Sequence, residues 1–166
     1  MNNQAEAGFT YLVEVIDAHG NVTDSEIVHN LMPTEGLNHV LSVLLKAGSQ
    51  VTQWYVGAYE NSYTPVAGDT MAAFPAAAGE TTAYAAATRP AFTPGTVAAG
   101  AVDNSAAKAD FVFNATKSIV GGFVSSASAK GSTAGVLLSA VRFATPKSVD
   151  NTSTLRITAG FTMSSL

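Results

Sequence analysis

"KSIVGGFVSSASAKGSTAGVLLSAVRF", residues Lys117 to Phe143, is apolar, nearly uncharged and rich in Gly, Ser and Ala. A membrane span needs about 18 or more apolar residues in a row, and Ser and Lys interrupt this stretch well short of that. A phosphate loop needs G-x-x-x-x-G-K-[ST] or G-x-G-x-x-G ahead of a helix. Neither "VGGF" nor "KGSTAG" has that spacing, and no helical pattern follows. A linker would not be so apolar at both ends. The stretch therefore reads as two adjacent strands joined at "SAKGST", with Gly121 and Gly122 marking a bulge or a close backbone approach. That reading makes the chain a β protein.

The flanking sequence agrees. "DFVFNAT" (Asp110 to Thr116) alternates Phe111 and Phe113 with Val112 and Asn114, and "STLRITAGFTMSSL" closes the chain as another strand. Near the start, "FTYLVEVID" and "VTDSEIVHNLM" form a hairpin about "AHGN", where Gly20 and Asn21 suit a tight turn. "VTQWYVGAYE" (Val51 to Glu60) is strongly β in character. One helix is predicted in "PTEGLNHVLSVLLKAGS": Thr34 as N-cap, Glu35 in the first turn, Lys46 in the last and Gly48 as the left-handed stop. Leu37, Val40, Leu41, Leu44 and Leu45 fall on one stripe, expected to lie on the sheet. Residues 61–95 hold four of the six prolines (Pro65, Pro75, Pro90, Pro94). They read as an extended Pro- and Ala-rich arm or long loop, with one helical turn in "GDTMAAFP" capped by Asp69 and stopped at Pro75. The expected fold is mainly β: an antiparallel β-sandwich, jelly-roll-like, of about seven or eight strands with one amphipathic helix. It is a single domain over residues 1–166, with 1–50 as hairpin plus helix.

Composition narrows the function. Hydrophobic residues make up 47% and charged residues 12%, roughly half the usual charged share of about 25%, which excludes disorder over most of the length. A net charge of -4 offers no basic face for nucleic acid. The absence of Cys removes disulfides and thiolate metal sites. "MNNQAEAGFTYLVEV" lacks the basic start and apolar core of a signal peptide, so synthesis in the cytoplasm is expected, with no membrane partner. A surface of Ser, Thr, Asn, Gly and Ala is weakly solvated and suits a protein held in a large assembly.

Chemistry-bearing patterns are missing. His19, His29 and His39 sit in a turn, a strand end and a helix, without the convergent spacing of a zinc site. The acids fall mostly in turns or outward on strands, though a glycosidase pair can lie far apart in sequence. There is no calcium loop, no G-x-S-x-G elbow and no His beside a nucleophile. No catalytic, cofactor-binding or metal residue is assigned, and the chain is expected not to be an enzyme. The aromatics Trp54, Tyr55, Tyr59 and Tyr63 have two readings, a sugar platform or core and interface anchors.

A resemblance lies in the C-terminal two-thirds. Trp54, Val56 and Gly57, then Thr64, Pro65, Gly68, Asp69 and Thr70, follow W-x-V-G and T-P-x-x-G-D-T. Glu80 and Tyr84, then Arg89 and Pro90, follow E-x-x-x-Y and R-P, and Gly122, Phe123, Ser125, Lys130, Gly131, Thr133, Gly135, Leu137 and Phe143 complete the pattern. With these the chain resembles small virion structural proteins of tailed bacteriophages. The resemblance implies no catalytic residue and no cofactor. It implies a capsid decoration (cement) protein on the head surface, of a class that trimerises or dimerises, that binds the major capsid protein and stabilises the shell; a homotrimer is expected. Such a clamp needs contact area rather than chemistry, and many weak contacts multiply. The expected contact residues are Trp54, Tyr59, Tyr63, Pro65, Phe74, Tyr84 and Phe92. The alternatives are a tail, neck or fibre component, or a carbohydrate- or receptor-binding module.

Overall fold

From Ile119 to Ser125 every residue of β7 (Lys117–Ser125) is buried, which is why that strand shows no alternation in sequence. A computed structural model describes residues 5–165. Around β7 stand β1 (Ala5–Ile16), β2 (Val22–His29), α1 (Thr34–Leu45), β3 (Trp54–Tyr59), α2 (Phe74–Ala78), β4 (Ala91–Phe92), β5 (Ala101–Asp103), β6 (Ala109–Val112), β8 (Leu137–Val149) and β9 (Thr154–Ser165). The strands form two antiparallel sheets packed as a sandwich. One runs β2-β1-β9-β5, with β6 also on β9, and the other runs β4-β3-β7-β8. The last residue of the final predicted strand, Leu166, lies outside the described residues.

The second sheet is covered on both faces. Inward, Val56, Ile119 and Val124 meet Phe9, Val13, Leu155 and Ile157 of the first sheet. Outward, Tyr59, Val120, Phe123 and Leu137 meet Met71, Phe74 and Ala78, so residues 61–95 lie as a long loop on the chain's own sheet. A strand buried on both faces has no polar side to alternate. The pairing with β8 is interrupted once: Ile119 faces Lys147 and Gly121 faces Arg142, leaving Val120 opposite Phe143, Ala144, Thr145 and Pro146. The bulge turns Val120 and Gly121 to the same outer face. It also admits Pro146 into β8, an edge strand whose ladder does not need that N–H.

The bulge docks on β2. The Ala144 N–H donates to Glu26 Oε1 at 2.6 Å, and the buried Lys147 ammonium lies 2.8 Å from Glu26 and 3.1 Å from Asp24. This ion cluster covers an edge that would otherwise be open to pairing. Burial opposes the Glu26 charge, but Lys147 and the Ala144 N–H outweigh it and hold the carboxyl below its usual range. Burial likewise lowers Lys147, while Glu26 and Asp24 outweigh it and hold the ammonium above its usual value. Stability from Glu26 is therefore full above the ordinary glutamate pKa of about 4.3 and is lost as pH falls through the lower folded value, with Lys147 charged throughout. The melting-temperature gap between wild type and Glu26→Gln should be full near pH 7 and narrow progressively as pH falls below the ordinary glutamate pKa of about 4.3; a gap that does not change with acidification would contradict the clamp.

A second buried network staples the long loop to the β7–β8 connection. Arg89 is 1% exposed and donates through Nε and Nη2 to both Glu80 oxygens, at 2.7 and 2.6 Å. Its remaining bonds reach the Ala127 carbonyl at 2.8 Å, the Ser132 carbonyl at 3.0 Å and the Ser125 Oγ at 3.3 Å. Glu80 also accepts the Gly131 N–H at 2.9 Å. Lys130 lies 3.7 Å over the Tyr84 ring and donates to the Tyr84 carbonyl.

Several sequence expectations need correction. There are nine strands among the described residues rather than seven or eight, because β4 and β5 are only two and three residues long. Pro33, not Thr34, is the N-cap of α1, with no side-chain cap bond. Ala47, at φ 52°, takes the left-handed position expected of Gly48. α2 begins at Phe74 with Pro75 in its first turn, where a missing N–H costs nothing. Asp69 instead accepts from the Tyr63 hydroxyl and the Val66 N–H.

The orientation of α1 is the largest correction. Gly36 is its only buried residue, and Val40 packs beside it on the inter-sheet core. A Cβ at Gly36 would press on the Leu138 and Leu137 carbonyls, so the helix backbone lies directly on β8. Glu35 sets the rotation: Oε2 accepts the Leu137 N–H at 2.7 Å and the Met71 N–H at 2.8 Å. The leucine stripe consequently points away from the sheet.

Candidate interaction face

Leu37, Leu41, Leu44 and Leu45 are 42%, 52%, 63% and 78% exposed. Fully burying a leucine is worth about 1.5–3 kcal/mol, so four left open on one helix make an exposed apolar patch that stands out from single surface leucines. At 100° per residue, Glu35 and Lys46 project from the opposite flank of α1, leaving the stripe uncharged.

Between α1 and the sandwich end lies a cleft of about 430 Å³. Its helix wall is His39, Val40, Val43 and Leu44, and its far walls are Phe9, Phe161 and Met163 of the first sheet with Trp54, Phe92 and Leu138 of the second. The His39 ring meets the edge of Trp54 at 5.5 Å between centroids. Gln53 is turned inward to the Trp54 and Phe92 carbonyls, at 2.8 Å each, leaving an apolar mouth. Leu44 belongs to both stripe and cleft, so a ridge and a hollow of the same chemistry adjoin.

The seven contact residues expected from sequence divide sharply. Tyr59, Phe74 and Tyr84 are 0%, 1% and 2% exposed and build the chain's own cores; Phe92, 5% exposed, is also core but lines the cleft. Trp54 is half-buried in the cleft wall. Tyr63 is half-buried against Phe74. Pro65 lines a separate hollow of about 250 Å³ with His29 and Arg142, where the guanidinium donates to Ser62 Oγ at 3.1 Å. What sequence reasoning missed is the face made by Leu37, Leu41, Leu44 and Leu45. The signal was present in the second row Gly36, Val40 and Val43, spaced at i, i+4 and i+7, which lets a backbone come closer to a sheet than leucines allow.

About half of the residues carrying the resemblance are buried, while Thr64, Gly68, Gly131, Thr133 and Gly135 are exposed. Glu80, Arg89, Tyr84, Lys130 and Gly131 meet in the buried staple, and a Cβ at Gly57 would enter the Phe123 ring. The buried ones specify packing. His19, His29 and His39 stand on separate elements, and among the described residues no three His, Asp or Glu converge as a metal-binding group. No described helix is long and apolar enough to cross a membrane. Comparison with protein families and with curated proteins gives no match.

Proposed function

We propose that this chain is a structural protein of a tailed-phage virion, a decoration protein on the capsid surface that binds the major capsid protein and stabilises the head shell, and that it self-associates. The observation that carries the reading is the uncharged leucine ridge beside an apolar cleft, held on a doubly covered sheet, which supports the self-association; attachment to the capsid protein rests on the sequence resemblance. Binding by such a face depends on fitted area, and a rigid scaffold limits the entropy lost on attachment. The sequence resemblance and the sparse surface charge support the same reading.

Electron microscopy of purified particles labelled with an antibody to the chain tests it. Label distributed over the head is the expected result. Label confined to the tail, neck or fibres would move the protein there. A glycan-array signal abolished by Trp54→Ala would instead favour the carbohydrate-binding module; the half-buried Trp54 ring, already faced by His39, offers little open platform for a sugar.

A further inference from the structure

The ridge and the hollow adjoin on one surface, and that arrangement selects a partner. A two-fold contact needs a patch complementary to itself, so that each copy supplies what the other receives. A ring of three needs ridge and hollow on separate parts of the surface, each facing a different neighbour. Here Leu44 is shared by the two. We propose that the occupant of this face is a second copy of the chain, docked about a two-fold axis near Leu41, with the α1 helices antiparallel and each leucine ridge against the other's cleft. This pairing differs from the expected homotrimer and stands whether or not the protein belongs to a virion.

Charge favours the pairing. Each copy carries a net charge of -4, which opposes association in general, yet the ridge contributes nothing to it. Glu35 is turned inward to the Leu137 and Met71 N–H groups. Lys46 projects from the opposite flank, so two ridges meet without bringing like charges together. In area, the four leucines expose more than two whole leucine residues' worth of surface, and the cleft mouth adds Met163, 48% exposed. This is less than the about 800 Å² per partner of a standard interface, so a reversible dimer with Kd of about 1–100 µM is expected.

Sedimentation of the full chain across a concentration series tests the proposal, with emission of Trp54, the sole tryptophan, read in parallel. The 17.0 kDa chain should approach twice that mass as concentration rises, with a blue shift of Trp54 emission as the cleft is covered. Leu41→Glu should remain monomeric with an unchanged far-UV circular dichroism spectrum. Leu41→Lys should behave alike, and mixing the two variants should restore a dimer, because position 41 faces its own copy near the axis. A monomeric wild type, a trimer, a dimer that survives Leu41→Glu, or variants that fail to pair on mixing would each overturn the proposal. A monomer whose attachment to particles is abolished by Leu41→Glu would assign the face to a capsid protein instead, and would overturn self-pairing while leaving the virion reading intact.

Discussion

Arg89→Met is expected to lower the unfolding free energy by about 3–5 kcal/mol, measured by urea titration of the far-UV circular dichroism. The guanidinium is fully enclosed, and its ion pair with Glu80 leaves that side chain only 2% exposed. Removing the cation strands a buried carboxylate and frees the Ala127 and Ser132 carbonyls together. Both losses fall on the contact that ties the long loop to the β7–β8 connection, so the connection should also become cleavable by protease. Pairing Arg89→Met with Glu80→Leu should recover much of the loss, since well-packed apolar groups replace buried ion pairs at little cost. A cost below about 1 kcal/mol for Arg89→Met would mean that the pair is solvated and not the staple described.

Gly121→Ala should cost about 3 kcal/mol, at the upper end of overpacking effects. The added Cβ would fall on the Tyr59 ring and the Val141 carbonyl. Tyr59 is itself held there by donating to that carbonyl at 3.0 Å, and the carbonyl belongs to the paired backbone of β8, so neither yields easily. Gly122→Ala, one residue on, is the internal control. Its Cβ would lie 3.3 Å from Ile157 Cδ1, the far end of a side chain that can shift, and should cost below about 1 kcal/mol. Equal effects at the two positions would contradict the bulge, which sends Gly121 outward to the loop layer and Gly122 inward to the other sheet.

The strands were legible because their local chemistry agrees with the fold. Alternation in β6, the turn at Gly20 and the paired runs around "SAKGST" each follow from short-range geometry. What could not be read was which surfaces meet. Periodicity shows that α1 has two faces, but an apolar stripe has two uses, and the choice was made by Glu35 and Gly36 through partners a hundred residues away in β8. The segment 61–95 carried its prolines as evidence of extension. Its destination depended on Phe74, Tyr84 and Arg89 finding pockets in strands that come later in the chain. For the same reason aromatic residues picked as contact points turned out to be core: an aromatic in sequence says that something will be covered, not by whom.

The central claim, a structural protein that covers a shell by surface contact, is tested most directly by its copy number in purified particles, measured by quantitative mass spectrometry against the major capsid protein. A count comparable to that of the major capsid protein is predicted. A handful of copies per particle, or none, would contradict it.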